Sequence, residues 1–336
     1  MKALVYTGVE TLTYQDREMP QPGDGEALVR ILASGICGSD MHAFLGHDDR
    51  RPAPLTLGHE AAGVVVGGPD DGRRVTINPL VACQTCQDCK AGKANLCANR
   101  QIISMLPREG AFAEYVAIPT RNLVTVPEGV DLKKAALAEP LACGWHAARL
   151  ARSVLGGSFE GKSCAVIGGG AIGVGAALSL RAQGATQITV IEPNELRRAT
   201  LNSIDGFNAC APDDANMPEN GSIDCIIDGV GYAATRANAC AMARQGGVIA
   251  HIGLGEGTGG LDVRRMTLQE ITFIGTYTYT PQDFIDTANA IFDGSLGALD
   301  WTEQRPLAAG QSAFDDIRAG KVAAPKIVLI PEHADQ

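Results

Sequence analysis

The sequence predicts an α/β protein with two parts, an irregular β-rich part followed by a doubly wound parallel sheet. Three observations support this prediction. The 336 residues are enough for about two domains. Short β-segments separated by Gly, Pro and Asp occupy about the first 140 residues. From about Ser163 onward, short apolar strands alternate with alanine-rich helical stretches, which is typical of a parallel sheet covered by helices.

The β-rich part is predicted from short runs of β-branched and aromatic residues. Turn-forming residues separate these runs, for example at 20–25 and 69–72. The predicted strands are residues 3–6, 27–32, 63–66, 74–77 and 112–118. The absence of long helical stretches between them in the sequence favours an irregular all-β domain.

The second part is predicted from six short apolar segments with helical stretches between them. These segments are residues 164–167, 188–191, 207–210, 225–227, 248–252 and 271–274. After Tyr279 the pattern changes to helices near 282–292 and 313–319 and a final strand at 326–330. Composition alone does not assign this tail to either part.

The charge balance and the hydropathy pattern exclude two classes of partner. The chain has 28 Lys and Arg against 38 Asp and Glu, a net charge of −10, so we expect no nucleic acid as a partner. The longest uncharged run, residues 163–180, contains five glycines and two serines. A strand, a turn and a helix explain this run better than a membrane span, and we expect no membrane partner.

The ten cysteines bear on the compartment. The chain opens without a long apolar segment or a small-residue cleavage site, so we expect a reducing compartment, the cytoplasm. Glycine makes up 40 of the 336 residues, above the usual share of about 7%, without a period. Such a composition fits an enzyme whose backbone turns tightly or approaches a cofactor.

Four cysteines lie close enough in sequence for one loop to surround a metal ion. They are Cys83, Cys86, Cys89 and Cys97. Four thiolates favour structural zinc in a closed tetrahedral site, which stabilises a lobe and does not catalyse. An iron–sulfur cluster is disfavoured, because the fourth spacing is seven residues and Ala98 follows in place of proline. Free thiols remain the other alternative.

A second motif predicts a dinucleotide site. The residues from Gly168 to Gly173 fit G-x-G-x-x-G, follow an apolar strand and open a helix, and Glu192 ends the next strand 19 residues after Gly173. A carboxylate there binds ribose hydroxyls and repels a 2′-phosphate, which favours NAD over NADP. Arg197 and Arg198 argue against this preference for NAD, since either could pair with a 2′-phosphate. The alternative is that the glycine motif binds no nucleotide and only forms a turn that packs the helix against the sheet. The predicted cofactor residues are Gly168, Gly170, Ala171, Ile172, Gly173, Glu192 and Arg197.

A third set of residues is dispersed along the chain. Catalytic zinc takes about three protein ligands and keeps an exchangeable position, and Cys, His and carboxylate groups are suitable donors. Cys37, His59, Glu60 and Glu139 offer such groups, but their spacing alone does not identify a site. Taken separately, each is more simply an ordinary polar residue.

Together and in order, these elements resemble the zinc-dependent medium-chain alcohol dehydrogenase superfamily, in its polyol (sorbitol) and threonine dehydrogenase branch. The resemblance covers nearly the whole chain. Its motifs are Cys-Gly-Ser-Asp-x-His at 37–42, Gly-His-Glu at 58–60, the four-cysteine segment 83–97, Gly-Ala-Phe-Ala-Glu-Tyr at 110–115, Glu-Pro-Leu at 139–141 and the glycine motif at 168–173. Several independent motifs in one order are highly specific.

The resemblance implies a fold and domain boundaries. It implies a GroES-like catalytic domain over residues 1–142, with a structural zinc lobe at 83–97, and a Rossmann NAD-binding domain over residues 143–280. The tail at 281–336 then returns to the catalytic domain. Relatives of this kind form homodimers or homotetramers, so the resemblance also implies an oligomer.

The resemblance assigns roles to the dispersed residues. Cys37 and His59 become ligands of a catalytic zinc, and Glu139 stands at the position of a cysteine in the alcohol branch. Glu60 is a ligand in some relatives and lies behind the ligands in others, so we expect one of the two glutamates to bind directly in any one state. Ser39 would accept the hydroxyl proton and His42 would pass it to solvent, unless His42 is only a surface residue.

The implied reaction is hydride transfer from a secondary alcohol or polyol to NAD. The substrate is a small molecule, sorbitol-like or an amino alcohol such as threonine, and zinc acts as the Lewis acid, with two zinc ions per chain. Thr278 stands where polyol members often carry arginine, which puts a sorbitol-like pocket in doubt. The alternative is a catalytically inactive protein of the same fold that binds nucleotide and zinc.

Overall fold

The computed structural model describes residues 1–204 and 206–333, which form two compact units. The first unit comprises Met1–Glu139, Thr280–Gly294 and Leu299–Gln336, the last described up to residue 333. The second comprises Pro140–Tyr279 and Ser295–Ala298. Residues 295–298, which the resemblance places in the catalytic domain, thus lie with the second unit.

The described residues form short strands and helices along both units. The strands are β1 Lys2–Gly8, β2 Thr11–Asp16, β3 Glu26–Gly35, β4 Leu55–Thr56, β5 Glu60–Val66, β6 Arg74–Ile77, β7 Leu80–Val81, β8 Gln101–Ile102, β9 Tyr115–Pro119, β10 Leu123–Thr125, β11 Ser163–Ile167, β12 Gln187–Ile191, β13 Asn208–Cys210, β14 Ile223–Asp228, β15 Ala243–His251, β16 Thr272–Gly275, β17 Thr302–Pro306 and β18 Lys326–Ile330. The helices are α1 Gly38–Phe44, α2 Gln87–Lys90, α3 Leu132–Ala135, α4 Ala138–Val154, α5 Ala171–Ala182, α6 Glu195–Asn202, α7 Ala233–Met242, α8 Val263–Leu268, α9 Pro281–Phe292 and α10 Gly310–Arg318.

The described residues of the first unit form three β-sheets. The largest has the order β10-β6-β5-β3-β18-β17, with β9 also paired to β3, and the other two are β2-β1-β4 and β7-β8. The pairing of β18 with β3 aligns Val328 with Gly35 and Leu329 with Ser34, so the last strand joins the N-terminal sheet. This pairing brings Lys326, the first residue of β18, close to the residues that follow β3.

Apolar side chains from distant parts of the chain form the core of the first unit. The aromatic rings of Phe44 and Phe314 lie 5.1 Å apart between centroids, and both side chains are fully buried. Burial of this aromatic and aliphatic area stabilises the packing of α1 and α10 against the sheet β2-β1-β4. Each such side chain contributes about 2 kcal/mol. This core supports the loop that carries Cys37.

The second unit is a parallel sheet with the order β13-β12-β11-β14-β15-β16. All six strands are parallel, and the order reverses between β11 and β14, which is the doubly wound Rossmann arrangement. The six predicted strands of this part are confirmed, and so is the fold class. Every residue of β14 is buried, as expected for a central parallel strand with helices on both faces.

The predicted β-rich strands are also present, with one shift. The segment predicted at 112–118 forms a strand only from Tyr115 to Pro119. Phe112 instead donates its N–H to the Leu57 carbonyl oxygen and accepts from the Leu4 N–H, while its ring is buried in the core. Backbone hydrogen bonds to β1 and to the residue after β4 therefore replace a regular strand ladder at this position.

The described residues contain no helix that is both long and apolar enough to span a bilayer.

Candidate active site

Three groups with metal-ligating atoms converge in the first unit. One ligand atom from each of Cys37, His59 and Glu60 lies within 4.8 Å of the others. His59 and Glu60 are buried, and Cys37 is partly exposed. A thiol, an imidazole and a carboxylate in this arrangement match the donor set of a catalytic zinc site with one position left for substrate.

The convergence of His59 and Glu60 depends on the backbone around them. Adjacent residues of a regular strand point to opposite faces, but Glu60 is the first residue of β5 and His59 precedes it. Gly58 has a φ of +91°, a conformation that favours glycine, and a side chain there would overlap the Phe112 ring. The turn at Gly58 therefore lets the side chains of His59 and Glu60 reach one site.

The two carboxylate oxygens of Glu60 have different surroundings. Oε1 accepts a hydrogen bond from Lys326 Nζ at 2.6 Å, and Lys326 also donates to the Ile36 carbonyl oxygen at 2.7 Å. Among the described residues, Oε2 is buried without a hydrogen-bond partner. A methyl group on Gly35 would overlap Oε2, so only glycine leaves room for it. A buried, unpaired carboxylate oxygen beside a thiol and an imidazole fits a cation there.

Asp40 holds both the loop and the imidazole. Its Oδ2 accepts the Cys37 N–H at 3.0 Å, its Oδ1 accepts the Gly58 N–H at 3.3 Å, and Oδ1 lies 3.4 Å from His59 Nδ1. Burial alone would raise the pKa of Asp40, but His59, Arg51 and the Cys37 N–H keep it below its usual value. A carboxylate beside Nδ1 leaves Nε2 as the nitrogen available to a metal ion.

The two predicted proton carriers lie on α1. Ser39 Oγ is 3.5 Å from His59 Nε2, so its hydroxyl lies beside the converging ligands. His42 is exposed, three residues later on the same helix. Residues three apart share a helix face, so both point along one side of α1.

Glu139 is placed differently from Glu60. The group of converging ligand atoms in the described chain contains Cys37, His59 and Glu60 but not Glu139. Glu139 is nevertheless close enough to act on Lys326. Burial alone would lower the pKa of Lys326, but Glu60, Cys37 and Glu139 together raise it. Of the two candidate glutamates, the geometry favours Glu60 as the direct ligand.

The four cysteines of residues 83–97 form the second cluster. Their sulfur atoms all lie within 4.8 Å of one another, and Cys83 Sγ and Cys89 Sγ are 3.9 Å apart. A tetrahedral zinc with Zn–S bonds of about 2.3 Å requires a sulfur–sulfur separation of about 3.8 Å. In the absence of a cation, hydrogen bonds from Thr85 and from the Cys86 N–H lower the pKa of Cys83, whereas burial and the neighbouring thiols raise the pKa of Cys89. The cluster therefore fits zinc.

The glycine motif has a local geometry suited to a pyrophosphate. Gly168 follows β11 directly and has a φ of +100°, and a side chain on Gly173 would overlap the Gly168 carbonyl group. Around Gly170, the N-cap of α5, there is open space. The first glycine thus makes the turn, the third packs helix against strand, and the second lets a ligand approach the start of a 12-residue helix.

Glu192 lies directly beside this loop. Its Oε2 accepts the Gly169 N–H at 2.7 Å and its Oε1 accepts the Asn194 N–H at 2.8 Å. Arg197 Nη1 is 3.5 Å from Oε2, so the arginine is paired with the carboxylate. Arg198 donates to the Glu192 carbonyl oxygen. Both arginines are therefore engaged at the end of β12.

Sequence reasoning missed three residues of the first cluster. Asp40 lies inside a recognised motif, but its contact with His59 depends on how the loop folds. Lys326 is 266 positions from Glu60, and no local pattern links them. Gly35 looks like an ordinary strand-end glycine until the position of Glu60 is known.

Comparison with known proteins agrees with this picture. The alcohol dehydrogenase GroES-like domain matches residues 23–128, and the zinc-binding dehydrogenase domain matches residues 171–293. An L-galactonate-5-dehydrogenase from Escherichia coli (strain K12) is 34% identical over 311 residues, 89% of each chain. A sorbitol dehydrogenase from Bacillus subtilis (strain 168) is 29% identical over 351 residues, 98% of this chain and 97% of that one.

A solved structure gives the same result for the fold. An Escherichia coli oxidoreductase/dehydrogenase of unknown specificity, ECK1772, superposes with a TM-score of 0.89 at 26% identity, covering 99% of both chains. Both domain matches and the similarity to these relatives extend along the chain in the order that the motifs predicted. The chain therefore belongs to the zinc-dependent medium-chain alcohol dehydrogenase superfamily, in its polyol dehydrogenase branch.

Proposed function

We propose that this protein oxidises a secondary hydroxyl group of a polyol or sugar acid, with NAD as hydride acceptor and zinc as Lewis acid. The observation that carries the proposal is the convergence of Cys37, His59 and Glu60, with Glu60 Oε2 buried and unpaired among the described residues. The substrate class is supported by similarity to a protein named L-galactonate-5-dehydrogenase and one named sorbitol dehydrogenase.

Cys37, His59 and Glu60 hold the catalytic zinc in this proposal. Lys326 keeps Oε1 of Glu60 turned toward itself and leaves Oε2 for the metal. When bound, zinc would polarise the substrate hydroxyl, and NAD would accept the hydride. Glu139 contributes through the electrostatic field around Lys326 rather than as a ligand.

Ser39 and His42 move the proton. Ser39 Oγ, beside His59, accepts the proton of the substrate hydroxyl, and His42, one helical turn later and exposed, delivers it toward solvent. Asp40 keeps the proton of His59 on Nδ1, so that this imidazole serves as a ligand and not as a base.

The second unit binds NAD in this proposal. The backbone N–H groups at the start of α5, including those of Ala171 and Ile172, receive the pyrophosphate, and Gly168, Gly170 and Gly173 give it access. Glu192 binds the ribose hydroxyls. The pairing of Arg197 with Glu192 supports NAD, because this guanidinium is already neutralised and does not offer itself to a 2′-phosphate.

Four finer assignments complete the proposal. The first unit acts as the catalytic domain and the second as the NAD-binding domain. The second cluster, Cys83 to Cys97, holds a structural zinc. The protein forms a homodimer or homotetramer, supported by β16, an edge strand of its sheet, and by exposed Leu254 and Leu268 in the same unit. We place it in the cytoplasm, the reducing compartment expected from the sequence.

The test combines metal analysis with a substrate panel. Elemental analysis of the purified protein should give about two zinc ions per chain, as the two ligand clusters require. NAD reduction should occur with at least one member of a panel of sugar acids, sugar alcohols, threonine and simple secondary alcohols. The variant Cys37→Ser should retain one zinc and lose turnover. One zinc in the unaltered protein and no turnover would instead support an inactive nucleotide- and zinc-binding protein.

A further inference from the structure

A buried arginine connects two distant segments near the first ligand cluster. Arg51 lies in the loop between α1 and β4, and only 2% of its side chain is exposed. Its Nε donates to the Ser104 carbonyl oxygen at 3.0 Å, and its Nη1 donates to the Ser39 carbonyl oxygen at 2.9 Å. Nη1 also pairs with Asp48 at 3.1 Å. The planar guanidinium thus fixes two backbone positions at once.

Ser104 has an unusual backbone for its residue type. The Met105 N–H donates to the Ile102 carbonyl oxygen and closes a tight turn, in which Ser104 has a φ of +69°. Glycine is favoured at such a position because a β-carbon is crowded there. A serine nevertheless occupies this position, and it is fully buried.

The Ser104 hydroxyl makes a contact that glycine could not make. Its Oγ lies 3.4 Å from Nδ1 of His59, the nitrogen that Asp40 also approaches at 3.4 Å. Two oxygen atoms, one from a carboxylate and one from a hydroxyl, therefore surround the same nitrogen. Nδ1 keeps its proton between them, and the lone pair of Nε2 is directed at the ligand cluster.

We propose that Ser104 is a positioning residue for the metal ligand His59, and that Arg51 holds Ser104 in place. This inference rests on the proposed function, since it takes Cys37, His59 and Glu60 as the metal site. It adds two residues that lie outside all motifs of the chain, one in a loop and one in a turn two residues after β8. Their role is to restrict the imidazole to one tautomer and one orientation.

The test measures metal affinity directly, without substrate. The structural cluster is first filled with zinc, and cobalt is then titrated into the remaining site against a chelator while its absorption spectrum is followed. Ser104→Gly removes the hydroxyl and relieves the backbone crowding, so we expect normal folding with cobalt affinity about tenfold weaker, the lower range for loss of such a contact. We expect an altered spectrum as well, because the imidazole reorients.

Arg51 is tested with a matched neighbour. Arg51→Met should weaken cobalt binding by a similar factor of about ten, and Arg51→Lys should fall between, because one ammonium group cannot reproduce the guanidinium fork. Arg50→Met is the control. Arg50 also contacts Asp48, at 2.8 Å, but 64% of its side chain is exposed, and this variant should bind cobalt normally.

Each outcome decides one point. Unchanged cobalt affinity and spectrum in Ser104→Gly would overturn the role of Ser104, and an unchanged Arg51→Met would overturn that of Arg51. If Arg51→Met fails to fold, Ser104→Gly and Arg51→Lys still decide the proposal. If the unaltered protein takes no cobalt beyond the four-cysteine cluster, the proposed function itself is wrong, which is a different result.

Discussion

Lys326 Nζ and Glu60 Oε1 lie 2.6 Å apart, although 266 residues separate them in the chain. The side chains are 2% and 0% exposed, so the pair is shielded from water. A buried pair of this kind stabilises a fold only while both partners are present. The last strand of the first unit therefore determines which oxygen of Glu60 faces the ligand cluster.

Loss of Lys326 should destabilise the protein. Lys326→Met leaves a buried carboxylate without its cation, and we expect the free energy of unfolding of the metal-free protein to fall by about 3–5 kcal/mol. Urea denaturation measures this change. Adding Glu60→Gln should recover part of the loss, since the uncompensated charge is then removed.

The control for this pair is an exposed ion pair in the same unit. Lys134 and Asp300 lie 2.8 Å apart with side chains 37% and 70% exposed. Lys134→Met should cost less than about 1 kcal/mol. Equal effects of Lys326→Met and Lys134→Met would contradict a special role for the buried pair.

A methyl group at Gly35 should disturb the metal site. Gly35→Ala places a β-carbon where Glu60 Oε2 lies, so Glu60 must move, and we expect metal affinity at this site to fall by at least about tenfold. Competition with a chelator measures the change. Gly38→Ala is the matched control, because open space surrounds that position, and its metal affinity should stay normal.

The four-cysteine cluster should contribute stability rather than turnover chemistry. Cys89→Ser should reduce the metal content from about two ions per chain to one and lower the melting temperature by several degrees, because a structural metal contributes folding free energy. Elemental analysis and calorimetry measure both effects. Cys143→Ser, outside both clusters, should retain both ions, and loss of an ion there would argue against this assignment.

Cofactor preference should depend on Glu192. In Glu192→Ala the ribose loses its carboxylate partner and Arg197 loses its pairing, so NAD affinity should fall and the preference over NADP should shrink by about 10- to 100-fold, or about 1.4–2.7 kcal/mol. Steady-state kinetics with both cofactors measure the ratio. Exposed Glu195 supplies the control, and Glu195→Gln should leave the preference unchanged.

Asp228 should make stability depend on pH. Its carboxylate accepts the Val230 and Gly231 N–H groups and the Thr235 hydroxyl, at 2.9, 3.0 and 2.9 Å. Burial alone would raise the pKa of Asp228, but His251 and these donors lower it. A lowered pKa means that the stabilisation is present above the unfolded value of about 3.9 and is lost as the pH falls below it.

Asp228→Asn tests this dependence. At neutral pH the free energy of unfolding of the variant should be about 2–4 kcal/mol lower, because hydrogen bonds to a charged group are replaced by weaker ones. The difference should shrink as the pH falls toward 3. Chemical denaturation at several pH values measures it, and a difference that stays constant with pH would show that the carboxylate charge is not the cause.

Local patterns in the sequence were enough to predict several parts of this protein. The spacing of Cys83, Cys86, Cys89 and Cys97 places four thiolates within one loop, and the structure confirms their proximity. The glycine motif and the alternation of strands and helices predict a doubly wound sheet, because strand and helix periodicity are local properties. These features depend on residues near one another in the chain.

Which of the two glutamates joins Cys37 and His59 was decided only by the tertiary structure. Glu60 and Glu139 are both acidic residues in recognised motifs, and sequence alone leaves them equivalent as candidates. The turn at Gly58 and the space beside Gly35 admit Glu60 to the cluster, and Lys326 orients it. Ser104 and Arg51 belong to the same category, since the hydrogen bond between them joins segments 53 residues apart.

The sequence by itself determined the family, the fold class and the residue types that could bind zinc and NAD. The tertiary structure decided which of those residues meet, and what holds them there. The physical reason is that secondary structure and loop ligand sets follow from local spacing, whereas a buried carboxylate such as Glu60 depends on partners brought by strand pairing, as β18 brings Lys326 beside β3.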